Sequence, residues 1–456
     1  MELQIQNPWW INPKAIEDDE KVKEALSKKQ KVIYHFDSKK NTIILGPRQV
    51  GKTTMLKLFV YDLIKKGVNP KNILYFSCEP LSEKKDLIDV FSDFDRISSE
   101  LKGKKYIFLD ETTQIKDWEL AVKYFLETKF SKNKTLIATG SNALLLKRGS
   151  ERLPGRNINV ELFLPLTFRE FLLNFGSDEL KSILEKNVIH YEDLINMKKL
   201  SSKTTRLLPF LDELNAKLYV YLKTGGFLKP IYEFLEKNKI NEETYEVYVK
   251  WILGDLGKLN KKENIFKSML RGIIKNYCSK FSLLSFAKEM EIPSHVTVSD
   301  YLNALQSLLL INNLYQVDLS KKLPIFRKER KCYFIDPFLY SVFRGYTIGK
   351  YQDYSDRLED KLLQGIVCEA FSRLNRQYLD ISHFLWFYTK KKETDFVVRV
   401  KNELIGVELK WQSRVDKKDF SNFYSFKKRV LLSKKDFNVE NGLLIMPIGI
   451  FLGLIR

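Results

Sequence analysis

Residues 46–54 combine the glycines, lysine and threonine that a phosphate-binding loop needs. They fit the pattern G-x-x-x-x-G-K-[ST] and comprise Gly46, Pro47, Arg48, Gln49, Val50, Gly51, Lys52, Thr53 and Thr54. Gly46 and Gly51 permit backbone angles closed to other residues, so consecutive N–H groups can point at phosphate. Lys52 brings a mobile positive charge to the β- and γ-phosphates, and the Thr53 hydroxyl is a ligand for Mg²⁺. The stretch therefore predicts a nucleotide-binding site.

An apolar run that ends in two carboxylates follows further along the chain. Residues 105–109 precede Asp110 and Glu111. A strand of this kind carries Asp110 to the edge of a sheet, where it would hold the hydration shell of Mg²⁺. Glu111 would then orient or deprotonate the attacking water. The pattern is weak alone, but its position after a phosphate-binding loop makes it specific, and Lys52 and Glu111 become the first candidate catalytic residues.

Polar residues at the tip of the next apolar run indicate a sensor of the γ-phosphate. The run ends in Ser141 and Asn142, and either side chain is a candidate, although simple turn chemistry also explains them. Three arginines follow in a short loop, namely Arg148, Arg152 and Arg156. One of them could act as an arginine finger on the nucleotide of a neighbouring subunit, which would require an oligomer. The alternative is that all three are solvated surface residues.

A second group of charged residues lies near the C-terminal end of the chain. Asp395 begins one predicted strand, Glu408 and Lys410 alternate on the next, and Glu369 lies on the preceding helix. Alternation places Glu408 and Lys410 on one face. This is the residue set of a PD-(D/E)xK nuclease, in which the carboxylates hold Mg²⁺ and the lysine positions or activates water for phosphodiester attack. Because the spacing is loose, ordinary strand-surface charge is the alternative.

The elements around the phosphate-binding loop predict a parallel α/β sheet. Residues 41–45 read as a buried strand, and residues 55–64 as a helix whose N-terminus faces the phosphates. Strands and helices alternate to about residue 165, which places the site at the C-terminal ends of the strands. Ahead of them, Trp9 and Trp10 either pack against this core, the favoured interpretation, or cover the nucleotide base. Residues 1–165 form the first predicted domain.

The rest of the chain predicts three further domains. Residues 166–270 are a helical lid or linker region. Residues 271–349 join a helix-turn-helix pattern to a basic hairpin, which predicts a winged helix. Residues 350–456 are a third unit, a nuclease-like α/β domain. Its apolar end, residues 443–455, predicts two short buried strands, since it is too short and too broken by proline and glycine to span a membrane.

The predicted wing is the most basic part of the winged helix. It carries Lys321, Lys322, Arg327, Lys328, Arg330 and Lys331. The helix before it is less informative, because its polar residues are uncharged at Thr297, Ser299, Asn303 and Gln306. The wing therefore indicates contact with nucleic acid. Winged helices also serve as purely structural adaptors, and that alternative stays open.

The composition of the chain indicates which kinds of partner and metal site to expect. Among 456 residues, Lys+Arg exceed Asp+Glu by 77 − 57 = 20. That excess favours a polyanionic partner, most simply DNA, although a lysine-rich proteome gives the same balance. Four cysteines form no CxxC pair and the four histidines are not paired at ligand spacing, so no zinc site can be inferred. The N-terminus has no signal-peptide pattern, and a cytoplasmic location with no membrane contact is expected.

Taken together, these motifs resemble a family of archaeal and bacterial ATPases. That family pairs an AAA-type P-loop domain with a C-terminal domain of unknown function, which is itself similar to restriction endonucleases. The resemblance covers nearly the whole chain. Its matching segments are residues 7–10, 46–54, 105–111, 139–142, 153–156, 165–171, 225–227, 297–308 and 333–337, with Asp395, Glu408 and Lys410.

The resemblance implies ATP rather than GTP as the nucleotide, with Mg²⁺. It also singles out Arg156 over Arg148 and Arg152 as the arginine finger. In one departure, Thr112 follows the paired carboxylates where similar proteins often carry isoleucine or valine. We do not expect that change to affect Mg²⁺ binding.

Three functions follow as hypotheses. The first is a Mg²⁺-dependent ATPase that hydrolyses ATP to ADP and phosphate and couples nucleotide state to conformational change, acting on DNA. The second is an ATP-regulated DNA nuclease that uses Asp395, Glu408 and Lys410. The third is a non-catalytic, ATP-dependent switch that binds a protein partner. Salt-dependent DNA binding and metal-dependent DNA cleavage would distinguish them.

Overall fold

A computed structural model describes residues 3–28, 32, 40–141, 158–355, 359–375 and 380–456. The chain divides into two compact units. The first comprises residues 1–164 with 307–309, and the second comprises residues 165–306 with 310–456. The finer division of the second unit into helical, winged-helix and nuclease-like domains stays a prediction.

Among the described residues, five strands form the sheet of the first unit. Their order is β2-β3-β4-β1-β5, and every neighbouring pair is parallel. The strands are β1 (Asn41–Leu45), β2 (Ile73–Ser77), β3 (Lys105–Asp110), β4 (Lys134–Gly140) and β5 (Ile158–Leu162). The helices are α1 (Glu20–Ser27), α2 (Lys52–Lys65), α3 (Lys84–Ser98) and α4 (Trp118–Glu127). This sheet confirms the predicted parallel α/β core around the P-loop.

Helices cover both faces of this sheet, which explains why β1 to β4 are largely apolar and buried. On β3, Ile107 and Leu109 join one core with residues of α3 and α4. Phe108 points the other way and joins a second core with residues of α2. Because all strands run in one direction, their C-terminal ends share an edge, and the polar residues that follow β1, β3 and β4 are brought together there.

The N-terminal arm, residues 3–10, lies along the edge strand β2. The indole N–H groups of Trp9 and Trp10 both donate to the Ile73 carbonyl, at 3.2 and 2.8 Å. Trp9 is buried in the core that includes α2, and the Trp10 ring stacks on Phe94 with centroids 6.2 Å apart. Both tryptophans therefore pack against β2, as the favoured interpretation holds.

The second unit combines helices with a six-stranded mixed sheet. Its helices are α5 (Phe168–Phe175), α6 (Asp178–Lys186), α7 (Met197–Leu207), α8 (Leu211–Thr224), α9 (Leu228–Lys237), α10 (Glu242–Lys258), α11 (Glu263–Lys275), α12 (Leu283–Glu289), α13 (His295–Ser307), α14 (Pro337–Ile348), α15 (Glu359–Leu374) and α16 (Ile448–Leu454). Its strands are β6 (Ile311–Tyr315), β7 (Val317–Asp318), β8 (Leu323–Pro324), β9 (Arg330–Phe334), β10 (Leu385–Thr389), β11 (Glu393–Val400), β12 (Glu403–Leu409), β13 (Lys428–Ser433), β14 (Asn438–Glu440) and β15 (Leu443–Pro447). The order in the large sheet is β10-β11-β12-β13-β15-β14.

The segment predicted as a winged helix, residues 271–349, begins within α11 and contains α12, α13 and α14, with the antiparallel pair β6–β9 between α13 and α14. Lys321, Arg327 and Lys328 of the intervening hairpin are exposed. Arg330 and Lys331, by contrast, are buried on β9, and Lys331 forms an ion pair with Glu393 of β11. These two residues are not available to phosphate, so that part of the predicted basic surface is wrong.

Residues 443–455 form one strand and one helix rather than two strands. After β15, α16 packs against α5 and α8 with buried apolar side chains. A short apolar run fits a buried helix as well as a buried strand, because its periodicity cannot separate them. In the part of the chain that the structure describes, no helix has the length and apolar character needed to cross a bilayer.

Three motif segments of the second unit meet at Asp336. Its carboxylate accepts hydrogen bonds from the Gly226 N–H at 2.7 Å and the Phe338 N–H at 2.9 Å. The Gly226 carbonyl in turn accepts from the Leu166 N–H at 2.9 Å. Burial raises the pKa of Asp336 to about 7. Segments 165–171, 225–227 and 333–337 are therefore structural neighbours, which gives these motifs a role in folding.

Candidate nucleotide-binding site

The P-loop joins β1 to the N-terminus of α2, where backbone N–H groups have no partner within the helix. Gly51 has φ 101°, a left-handed conformation that favours glycine, and it caps α2. A Cβ on Gly46 would lie 1.8 Å from the Phe163 carbonyl oxygen. Each glycine is thus required where it stands, one by its backbone angle and the other by a close approach.

Lys52, the first residue of α2, is nearly buried, with 4% of its surface exposed. Its Nζ donates to the carbonyl oxygens of Gly46 at 2.8 Å and Pro47 at 2.9 Å, and lies 3.6 Å from Glu111 Oε1. Burial lowers the pKa of Lys52, while the negative charges of Glu111 and Asp110 act in the opposite direction. The cation is held at the mouth of the loop, where a phosphate group would meet it.

Asp110, at the end of β3, is held by three hydroxyl groups from different elements. Thr53 of α2 donates to Asp110 Oδ2 at 2.7 Å, and Tyr75 of β2 donates to the same oxygen at 3.0 Å. Thr139 of β4 donates to Asp110 Oδ1 at 2.5 Å. The predicted Mg²⁺ residues, Thr53 and Asp110, are therefore in direct contact, although they lie 57 positions apart in the chain.

The donor set around Asp110 suits Mg²⁺, which prefers oxygen ligands and binds protein through few carboxylates. The Thr53 hydroxyl and the Asp110 carboxylate would hold the ion. Bound Mg²⁺ would neutralise charge that develops on the phosphates during transfer. Lys52 would contact the phosphate oxygens.

Glu111 follows directly and has an unusual backbone, with φ 55°. Its N–H donates to the Thr139 hydroxyl at 3.1 Å, and its Oε1 faces Lys52. Its other carboxylate oxygen, Oε2, is buried and has no hydrogen-bond partner among the described residues. Buried polar atoms are rarely left unpaired, so this oxygen is a candidate to hold a water molecule for attack on phosphate.

Of the two predicted sensor residues, the structure describes Ser141 but not Asn142. Ser141 lies just after β4, and its N–H donates to the Thr113 hydroxyl at 3.2 Å. Asn142, the loop arginines Arg148 and Arg152, and the predicted finger Arg156 lie outside the described residues. The β4 residue that contacts Asp110 is Thr139.

Sequence reasoning missed both Thr139 and Tyr75. The parallel register pairs Leu109 with Ala138, so Thr139 follows beside Asp110, and this placement becomes visible only once β3 and β4 are known to be neighbours. Tyr75 instead pairs with Phe108 and reaches Asp110 through its long side chain. Nothing in the spacing of the chain marks that tyrosine.

The second predicted site is only partly assembled. Asp395 Oδ2 accepts from the Leu409 N–H at 3.0 Å, and Asp395 Oδ1 lies 3.9 Å from Lys331 Nζ. Glu369 forms an ion pair with Arg373 at 2.5 Å and accepts a hydrogen bond from Asn312 at 2.7 Å. Glu369 is thus engaged by residues outside the predicted set. Its place in a shared metal shell stays a prediction.

Glu408 is almost fully buried, with 1% of its surface exposed. Burial raises its pKa to about 7, and the nearby charge of Asp395 adds to the effect, whereas Lys410 opposes it. Among the described residues, no three His, Cys, Asp or Glu side chains form a group able to hold a metal ion.

Comparison with known families defines the class of the first unit. Residues 38–172 match the model of an AAA domain, which confirms the predicted AAA-type P-loop domain. Residues 215–347 and 360–452 match two further families, each described as a domain of unknown function (DUF8612 and DUF4143, respectively). The AAA match spans the P-loop and both carboxylates of the site.

Individual relatives are distant. An uncharacterized protein of Haemophilus influenzae is 23% identical over 423 residues, which cover 89% of this chain and 92% of that protein. Among solved structures, the RuvB Holliday junction branch migration motor of Thermotoga maritima is 14% identical, with a TM-score of 0.29 over 68% of this chain and 89% of that one. The Orc1 protein of Aeropyrum pernix, in complex with DNA, is 12% identical, with a TM-score of 0.31 over 75% and 98%. TM-scores of this size do not establish a common fold along these lengths.

Proposed function

We propose that this chain is a Mg²⁺-dependent ATPase whose nucleotide state is coupled to conformational change and which acts on DNA. The observation that carries the ATPase part is the direct contact between Thr53 of the P-loop and Asp110 at the end of β3. It is supported by Lys52 and Glu111, whose charged groups lie 3.6 Å apart beside it. The AAA domain match supports ATP as the nucleotide.

Each residue has a distinct role in the proposed reaction. The loop N–H groups and Lys52 bind the phosphates, and Thr53 and Asp110 hold Mg²⁺. Glu111 orients the attacking water and accepts its proton. Ser141 or Asn142 was predicted to sense the γ-phosphate, and the contact of Thr139 with Asp110 adds that residue as a third candidate. An arginine finger from a second copy, Arg156, is a further part of the proposal.

The full chain should release phosphate from ATP only when Mg²⁺ is present. Phosphate release is measured with saturating ATP and Mg²⁺, and again with EDTA in excess of all metal. GTP serves as the comparison nucleotide. Equal rates with Mg²⁺ and with EDTA would refute the proposed reaction, because Thr53 and Asp110 would then have no metal to hold.

The DNA part of the proposal is supported by charge. The chain has a net charge of +20, and the hairpin between β6 and β9 exposes Lys321, Arg327 and Lys328 beside the exposed ring of Phe326. Lysine and arginine side chains bind DNA phosphates and release counterions.

All four cysteines are free thiols, which supports the proposed cytoplasmic location.

Replacing Lys321, Arg327 and Lys328 together by alanine should weaken DNA binding and its salt dependence. Three lost phosphate contacts at about 0.9 each make the slope of log K against log salt shallower by up to about 2.7. Binding of a labelled duplex is measured by fluorescence anisotropy between low and moderate salt. The matched control replaces three exposed lysines of the same unit, Lys229, Lys237 and Lys239.

An equal slope change in both triple variants would mean that net charge alone, rather than the hairpin, attracts DNA. Wild-type protein without salt-dependent DNA binding would remove DNA from the proposal. That outcome would favour the switch that binds a protein partner.

A further inference from the structure

We propose that Tyr75 is a positioning residue for the Mg²⁺-binding carboxylate of Asp110, and that the N-terminal arm holds Tyr75 in place. The inference rests on the proposed function, because it concerns the metal of that site. It extends the site to a strand and an arm that lie outside the P-loop and outside the paired carboxylates.

The first step is the contact between Tyr75 and Asp110. The tyrosine hydroxyl and the Thr53 hydroxyl donate to one carboxylate oxygen, at 3.0 and 2.7 Å, while Thr139 donates to the other at 2.5 Å. Both oxygens are therefore fixed in orientation. A tyrosine hydroxyl keeps its proton at neutral pH, and the carboxylate can only accept, so Tyr75 is the donor in this contact.

The second step is the hydrogen bonding between the N-terminal arm and the backbone of Tyr75. The Asn7 side chain accepts a hydrogen bond from the Tyr75 N–H at 2.7 Å and donates one to the Tyr75 carbonyl at 2.9 Å. Gln6 accepts from the Ser77 N–H at 2.7 Å. β2 is an edge strand, and these amide side chains supply the partners that another strand would provide. The Asn7 side chain therefore fixes the backbone of Tyr75 through both its N–H and its carbonyl group.

The third step is the effect on metal affinity. Groups that hydrogen-bond to a metal ligand orient it, and their loss typically lowers metal affinity by about 10- to 100-fold. Of the three hydroxyls on Asp110, that of Thr53 is itself a predicted ligand. Tyr75 lies on β2 and Thr139 on β4, the two strands that flank β3, so the two side chains reach the Asp110 carboxylate from opposite sides.

The test is Tyr75→Phe, which removes one hydroxyl and keeps the ring. We expect the Mg²⁺ concentration for half-maximal ATP turnover to rise about tenfold. Mn²⁺ binding in the presence of ADP, followed by electron paramagnetic resonance, should weaken in parallel. Nucleotide affinity in EDTA should stay within about twofold of wild type. The control is Tyr61→Phe on α2, which likewise removes one tyrosine hydroxyl and keeps the ring, and it should match wild type throughout.

The arm is tested with Gln6→Ala, which removes one hydrogen bond to β2 at a position that is only half-buried. A smaller shift of the Mg²⁺ requirement in the same direction is expected. A lower melting temperature with wild-type Mn²⁺ binding would show that the arm only stabilises the fold. Tyr75→Phe with the Mg²⁺ and Mn²⁺ behaviour of wild type would overturn the inference while leaving the ATPase proposal intact. Wild-type protein that binds no metal–nucleotide complex would instead overturn the proposed function.

Discussion

Replacing Glu111 by glutamine is expected to leave ATP binding intact while slowing phosphate release by about 100-fold or more, since a positioned general base contributes about 10²- to 10⁴-fold. Glutamine keeps the volume of the side chain but cannot accept the proton of the attacking water. The backbone N–H of Glu111, which donates to Thr139, is unaffected by the change. The metal residues Thr53 and Asp110 also remain in place.

The measurement pairs phosphate release under saturating ATP with the affinity for a fluorescent ATP analogue. The matched control is Glu100→Gln, an exposed carboxylate of the same unit that follows α3. Near-normal turnover in Glu111→Gln would exclude this residue from water activation. Loss of both binding and turnover would mean that the carboxylate acts through Lys52, which it faces at 3.6 Å.

Replacing Lys52 by alanine should abolish useful ATP binding. The lysine is the buried cation of the loop, and charged hydrogen bonds are worth about 1.5–3 kcal/mol, which corresponds to a loss of affinity of roughly 10- to 150-fold for a single contact. Alanine removes the desolvation cost of the buried ammonium group, but it also leaves Glu111 and the carbonyls of Gly46 and Pro47 without this partner. The loss of affinity is therefore measured beside the stability of the variant.

Thermal unfolding separates these effects. Bound nucleotide raises the melting temperature of wild type by mass action, and this rise should vanish in Lys52→Ala. The nucleotide-free melting temperature reports separately what the substitution does to folding. Lys66→Ala, an exposed lysine just after α2, is the control and should keep the full rise. Tight nucleotide binding by Lys52→Ala would mean that the phosphates are bound elsewhere.

The sequence predicts the nucleotide site well where its chemistry is contiguous. Gly46 to Thr54 lie in one stretch, and Asp110 and Glu111 are adjacent, so each motif can be recognised without knowing the fold. The apolar strands before them are also evident, since both faces of a parallel sheet must be buried. That combination is enough to predict the parallel core of the first unit.

Contacts that depend on neighbouring strands are harder to predict. Tyr75 and Thr139 lie 35 and 29 positions from Asp110, and they reach it because β2 and β4 flank β3. Strand order is a property of the folded sheet rather than of local spacing. The sensor prediction accordingly fell on Ser141 and Asn142 instead of including Thr139.

The burial and the partners of charged residues in the second unit are also hard to predict from the sequence. Lys331 belongs to a basic run and was expected at the surface, yet it is fully buried against Glu393. Glu369, predicted to join Asp395 and Glu408 in a metal shell, forms an ion pair with Arg373 of the same helix. In both cases a specific partner decides where the charge lies, and composition carries no information about partners.

The final helix, α16, has a consequence for how the chain folds. Gly453 accepts a hydrogen bond from Arg169 at 2.6 Å, and Leu454 accepts one from Ile189 at 2.8 Å, so the last residues complete a helical core begun nearly 300 positions earlier. On the ribosome, helices α5 and α6 emerge long before α16 does, and their apolar faces must wait for it. Among the described residues, every strand of the sheet in the first unit lies before residue 163. While the residues between α6 and α16 are being synthesised, the apolar faces of α5 and α6 are therefore exposed, and chaperones would have most to protect at this stage.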